Sequence, residues 1–171
     1  MGRKEKRWYA LYTKSRAEKK VERELLAKDL HAYLPLEKKL KQWSDRKKWV
    51  KEPLIRSYIF VHVTRAELEK AYYTPGVVKV VHFEGKPAPI PDKQIKAIRD
   101  ILESGETYEV TSDAFSVGEN VEIKAGNLKG LQGELIKHVN RYKVLIRIDA
   151  IQQNLLININ PSNISKVARQ T

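Results

Sequence analysis

Cysteine is absent from the chain. Its absence excludes disulfides, a thiol nucleophile, iron–sulfur ligation and the common structural zinc sites. It also fits a reducing compartment. Long apolar runs are missing too: none approaches the roughly 20 residues a membrane-spanning helix needs, so no membrane partner is expected. The basic stretch 1–14 has neither the apolar core nor the small-residue cleavage site of a secretory signal. The expected location is the cytoplasm. Acidic residues are in deficit, 21 Asp and Glu against 33 Lys and Arg, which leaves a net charge of +12 and a pI near 9.8. A polyanion, nucleic acid first, is the partner such a balance points to. Hydrophobic residues make up 42% of the 171. That is enough for one medium core or two small ones.

Catalytic constellations are missing as well. His31, His62, His82 and His138 are dispersed, and none stands in a His-Glu-x-x-His spacing. No nucleophile elbow and no phosphate-cradling Walker loop occurs. The chain reads as a non-enzyme with no metal and no cofactor. His62 and His82 fall on strands expected to be neighbours, where a structural cross-strand pair is the natural reading.

The positive excess lies towards the N-terminus. Residues 1–110 hold 25 basic and 16 acidic groups; residues 111–171 hold 8 and 5. The densest block, 38–51, has seven Lys and Arg, one acid (Asp45), and two tryptophans, Trp43 and Trp49. Cations neutralise phosphates and rings stack on bases, so this interleaving suits nucleic acid. A solvated hairpin explains it equally well.

Residues 7–13 have the aromatic and β-branched content of a strand. Ser15-Arg16-Ala17-Glu18 has the spacing of a capping box opening a helix to about residue 28. Ala17, Val21 and Leu25 then form its buried stripe, with Arg16, Lys20 and Arg23 on another face. A short strand over 32–35 and a hairpin over 38–51, turning near Ser44-Asp45, come next. Residues 57–63 are the strongest strand signal and are expected to be central. Thr64-Arg65-Ala66-Glu67 is a second capping box, for a helix ending near Tyr73 and stopped by Pro75-Gly76. A strand over 77–83, a proline-rich edge over 86–91 and a third helix starting at Asp92 complete this half. Residues 104–114 are polar and read as a linker. Beyond it, short strands over 120–124, 134–138, 143–148, 155–158 and 165–167 predict a small barrel.

Two segments carry a family resemblance. The stretch 115–134, with Gly126, Gly130 and Gly133 after the strand Val121-Glu122-Ile123, resembles the KOW motif of small SH3-like barrels in transcription elongation factors and some ribosomal proteins. The N-terminal part is similar to the NusG N-terminal domain. This similarity rests on Arg7-Trp8-Tyr9-Ala10-Leu11-Tyr12-Thr13, Glu52-Pro53-Leu54-Ile55-Arg56-Ser57-Tyr58-Ile59-Phe60-Val61, Pro75-Gly76-Val77 and Pro89-Ile90-Pro91-Asp92, in that order. Residues 50–55 and the short helix of 14–28 look like RfaH and the UpxY-type capsule-operon antiterminators. Arg56-Ser57 stands where the family usually has Pro-Gly or Pro-Asn.

The resemblance implies an α+β chain: an N-terminal NusG-type domain over 1–103, with an antiparallel sheet flanked by helices, a linker over 104–114, and a KOW barrel over 115–171. It implies a monomeric, operon-specific elongation and antitermination factor that suppresses pausing and termination. By motif position, Tyr12, Ile55, Tyr58, Phe60, Val80 and Phe83 would meet the β′ clamp helices of RNA polymerase. Lys14, Arg16, Lys20 and Arg23 would approach upstream or non-template DNA. Lys47 and Lys48 join them from the basic block. The barrel would reach ribosomal protein S-ten, Rho or another factor. The rival reading is a ribosome-associated KOW protein that binds RNA.

Overall fold

The computed structural model describes residues 5–168. Two compact units meet between Asp92 and Lys93. In the first, β1 (Arg7–Thr13), α1 (Glu18–Ala27), β2 (His31–Tyr33), β3 (Leu36–Gln42), β4 (Lys47–Pro53), β5 (Tyr58–Val63), α2 (Arg65–Tyr72), β6 (Val77–Val80), β7 (His82–Phe83) and β8 (Lys86–Pro87) follow one another. Strands β2, β5, β1 and β6 form one sheet in that order, so β5 is interior as expected. Strands β3 and β4 form a separate two-stranded hairpin, and β7 pairs with β8. The expected strand over 77–83 is interrupted at Val81, whose N–H donates to the carbonyl of Ala10.

Strand periodicity decides which side of the sheet each residue occupies. Tyr9 opposes Val61 and Leu11 opposes Ile59. These four pack with Val21 and Leu25 of α1, and with Leu68 and Ala71 of α2, in one core. The other face carries Trp8 against His62, Ala10 against Phe60, and Tyr12 against Tyr58. Thr64 caps α2 as expected: its Oγ1 accepts from the Glu67 N–H at 3.2 Å, and Glu67 Oε2 accepts from the Thr64 N–H at 2.8 Å. The box expected at Ser15 does not form. Helix α1 begins only at Glu18, and no side chain caps it. Arg16 takes a left-handed turn (φ +63°) that leads the chain away from the geometry a serine cap needs.

The second unit takes in all of α3 (Asp92–Ser104) but its first residue, and Ile95, Ala97, Ile98 and Ile101 of that helix are buried. Then come β9 (Tyr108–Thr111), β10 (Glu119–Ile123), β11 (Gln132–His138), β12 (Arg141–Ile148), β13 (Gln153–Asn158) and β14 (Ile164–Lys166). They build one antiparallel sheet in the order β14-β10-β11-β12-β13-β9. The sheet has one strand more than the sequence suggests, and the extra strand lies inside the expected linker. Tyr108 and Val110 alternate with Glu109 and Thr111 and pair with Ile157 and Leu155 of β13. Four residues are too short a period to stand out from a polar stretch. The unit boundary and β9 both differ from the expected division at 103, 104–114 and 115.

Both faces of this sheet are covered, because β12 buries Val144, Leu145 and Ile146 in succession. Leu145, Leu156 and Ile136 form one cluster, with Phe115 laid against it. Arg147 fixes the crossing segment. Its guanidinium pairs with Glu134 (Nε to Oε2, 2.5 Å) and donates to the carbonyls of Phe115 (2.9 Å) and Ser116 (3.1 Å).

Candidate functional site

The six apolar residues singled out above do not share one surface. Tyr12 and Tyr58 are half-buried and meet edge to face, with ring centroids 5.4 Å apart. Lys79 from β6 stands across from Tyr12 in register and sets its ammonium 5.6 Å from that ring centroid. Burial, and then the neighbouring Tyr12, push the Tyr58 hydroxyl above its ordinary pKa. Phe60 is fully buried, at 0% exposure, and Ile55 and Val80 are buried too. These three offer no surface, and Val80, paired with Leu11, belongs to the core on the opposite, helix-covered face. Phe83 is the opposite case, 70% exposed, on the short β7–β8 ribbon.

Lys14, Arg16, Lys20 and Arg23 are all exposed, at the entry and along the outer face of α1. What fixes them is Glu18, a residue the sequence reading assigned to a helix cap. Its side chain is only 6% exposed, and its Oε1 accepts from the Ser57 N–H at 2.9 Å. Ser57 itself is left-handed (φ +65°). Its carbonyl accepts from the Thr13 N–H at 2.8 Å, and the Lys14 N–H donates to Gly76 at 2.9 Å. Glu18 thus ties the start of the basic helix to the strand that carries Tyr58. Lys19 adds a second link through its ammonium, 2.7 Å from the Lys51 carbonyl at the foot of the hairpin.

The hairpin is regular, with no bulge from Leu36↔Pro53 to Gln42↔Lys47. The turn spans Trp43 to Arg46, closed by Trp43 N–H donating to the Arg46 carbonyl at 2.8 Å. Arg46 lies over the Trp43 ring, 5.5 Å from its centroid. Lys47 and Lys48 are both exposed, and as strand neighbours they point to opposite faces.

In the second unit, Gly126 and Gly130 adopt left-handed φ values of +84° and +93°, which glycine reaches without strain. Gly133 matters for closeness. A Cβ there would lie 2.6 Å from Val144 Cγ1 and 2.8 Å from the Leu145 carbonyl. The loop between β10 and β11 needs glycine for its backbone angles, and β11 needs it at Gly133 for close packing.

The histidine pair forms with a different partner. His62 lies beside His31 of β2, with centroids 5.6 Å apart, and stacks on Trp8 at 4.9 Å. His82 lies on β7, which pairs with β8 and not with β5, and its Nδ1 is 2.7 Å from the Val80 carbonyl. Among the described residues, no three His, Asp or Glu side chains cluster so as to hold a metal ion, and no helix is long and apolar enough to cross a membrane.

A family model described as transcription termination factor nusG matches residues 6–99. The transcription termination/antitermination protein NusG of Staphylococcus carnosus is 26% identical, over 95% of this chain and 96% of its own. That of Halalkalibacterium halodurans is 23% identical, over 95% and 99%. Among solved structures, one of Thermotoga maritima NusG, on domain interaction, has a similar fold. It aligns with a TM-score of 0.53 at 24% identity, over 98% of this chain and all of that one.

Proposed function

Because the chain belongs to the NusG family of transcription termination and antitermination factors, which are not enzymes, we propose that it binds RNA polymerase through the surface around Tyr12 and Tyr58 and lays its basic helix along nucleic acid. The observation that carries this reading is the tyrosine pair itself. Two half-buried rings with Lys79 beside them stand on a sheet face whose neighbour Phe60 is wholly buried. Aromatic anchors in a firmly supported patch are the usual centres of protein interfaces. The clamp helices of the β′ subunit are the proposed partner, with Phe83 as an outlying contact. Holding the clamp closed disfavours the open, paused enzyme, and pausing and termination are suppressed by the same contact.

Lys14, Arg16, Lys20 and Arg23 neutralise phosphates of the upstream or non-template strand, with cations of the hairpin block that holds Lys47 and Lys48. The glycine loop unit reaches a second factor, ribosomal protein S-ten or Rho among them. Operon-specific action, in the manner of RfaH or UpxY-type proteins, is the finer proposal. Its support is the 50–55 segment and the short helix of 14–28; the Arg56-Ser57 turn departs from the Pro-Gly or Pro-Asn usual in the family.

Purified polymerase tests the reading. Tyr58→Ala is expected to weaken binding by about 2 kcal/mol, the cost of losing an interface anchor, with the melting temperature nearly unchanged. Phe60→Ala is expected to lower stability by about 3–5 kcal/mol through the cavity it leaves. A folded Tyr58→Ala chain that binds polymerase normally moves the contact elsewhere. Co-sedimentation with ribosomes in place of polymerase favours the RNA-binding alternative. Transcription on two unrelated templates decides operon specificity.

A further inference from the structure

We propose that the β3–β4 hairpin has one working face, and that this face binds single-stranded nucleic acid by stacking a base on Trp49 between lysine-held phosphates. The inference rests on the nucleic-acid part of the proposed function and sharpens it to one side of one ribbon. The unbroken register places Lys38 opposite Lys51, Leu40 opposite Trp49 and Gln42 opposite Lys47 on one face. On the reverse lie Glu37 opposite Glu52, Lys39 opposite Val50 and Lys41 opposite Lys48.

The two faces differ in charge and in apolar surface. On the reverse, Lys39 pairs with Glu37 at 2.9 Å and reaches Glu52 at 4.0 Å, while Lys41 pairs with Glu52. The Lys41 hydrogen bond holds the Glu52 carboxyl below its ordinary pKa. That face is largely neutralised by its own acids. The front face has three lysines and no acid. Between them it exposes 65% of Trp49 and 49% of Leu40. An exposed indole flanked by cations, with no internal carboxylate to compete, is complementary to a strand whose bases are unstacked and whose phosphates run alongside. A duplex presents the phosphates but hides the base faces, so it uses the lysines and leaves Trp49 idle.

The assignment separates two adjacent lysines that composition cannot tell apart. Lys47 belongs to the working face and Lys48 to the neutralised one. Arginine forks that read guanine edges are absent from the front face, so binding is expected to be indifferent to sequence.

The test uses the full chain and fluorescence anisotropy, with a labelled single strand of about 12 nucleotides and the matching duplex. Trp49→Ala is expected to weaken single-strand binding about tenfold and duplex binding less than about twofold, in line with the stacking contribution per base. Trp49→Phe keeps a ring and is expected to restore most of the loss. Lys47→Gln is expected to weaken both ligands and to flatten the single-strand salt slope by about 0.7. Lys48→Gln is expected to do neither. Equal effects of Lys47→Gln and Lys48→Gln, or no effect of Trp49→Ala on the single strand, overturn the inference. If Gln at Arg16, Lys20 and Arg23 abolishes binding while every hairpin variant binds normally, the hairpin inference falls and the wider reading stands. A wild-type chain that binds neither ligand removes both. Displacement of the oligonucleotide by a polyglutamate peptide at equal charge concentration assigns the face to an acidic protein segment instead.

Discussion

Glu18 places its carboxylate where only 6% of the side chain is exposed, and what it finds there is the amide of Ser57. A buried N–H without an acceptor costs about 1–3 kcal/mol. Glu18→Ala is therefore expected to lower unfolding stability by about that amount, and Glu18→Gln by less, because the amide oxygen still accepts. Urea denaturation of the two variants checks this, and equal losses would assign the effect to charge and not to the hydrogen bond. The role was hidden in the sequence because Ser15 and Glu18 have capping-box spacing. A spacing rule assumes an extended N-cap, and the left-handed Arg16 breaks that assumption. Phe60 escaped in a similar way. Alternation correctly put it on the face with Tyr58, but alternation does not say which members of a face are covered.

Among the elements, α2 shows a spacing rule holding. The reciprocal Thr64–Glu67 bonds satisfy two amides that a helix start would leave bare. Thr64→Ala is expected to cost about 1 kcal/mol. The backbone hydrogen bond from Thr64 also holds the Glu67 carboxyl below its ordinary pKa. A carboxyl whose folded pKa is depressed contributes stability above its unfolded pKa. That contribution is lost as pH falls through the folded value. The wild-type chain is thus expected to lose this increment below the normal glutamate range, and Glu67→Gln to show a flatter stability profile there. Chemical denaturation at neutral and acid pH compares the two. The turn between β11 and β12 runs against residue preference. Val139 and Asn140 are the left-handed pair (φ +48° and +61°), and a β-branched residue is the last choice for such a position.

At the scale of the whole molecule, the order of strands and helices was legible where a breaker or cap bounds them, as Thr64 and Pro75-Gly76 bound α2. The division between units was not, since the polar 104–114 stretch hides β9. Pairing of Tyr108 and Val110 with Ile157 and Leu155 makes that strand part of the C-terminal fold. The Asn154 side chain also donates to the Asp113 carbonyl at 3.0 Å. A fragment beginning at residue 105 is therefore expected to melt cooperatively, and one beginning at 115 at a clearly lower temperature. Removing β9 turns β13 into an edge and uncovers the partners of Tyr108 and Val110. Identical melting of the two fragments by circular dichroism would make β9 dispensable.

The register of the hairpin has a consequence for its motion. Three of its cross-strand pairs set like charges face to face: Lys38 with Lys51, Lys41 with Lys48, and Glu37 with Glu52. Such pairs repel, and a two-stranded ribbon has little else to hold it together. From Glu37 to Glu52 seven cations face three anions, so repulsion outweighs the exposed ion pairs, which contribute little. Dissolved salt shortens the range of that repulsion. Amide hydrogens of β3 and β4 are therefore expected to exchange with deuterium more slowly as ionic strength rises, while those of β1 and β5 keep their rates. The ribbon would then be loosest in dilute buffer and would tighten wherever counterions gather.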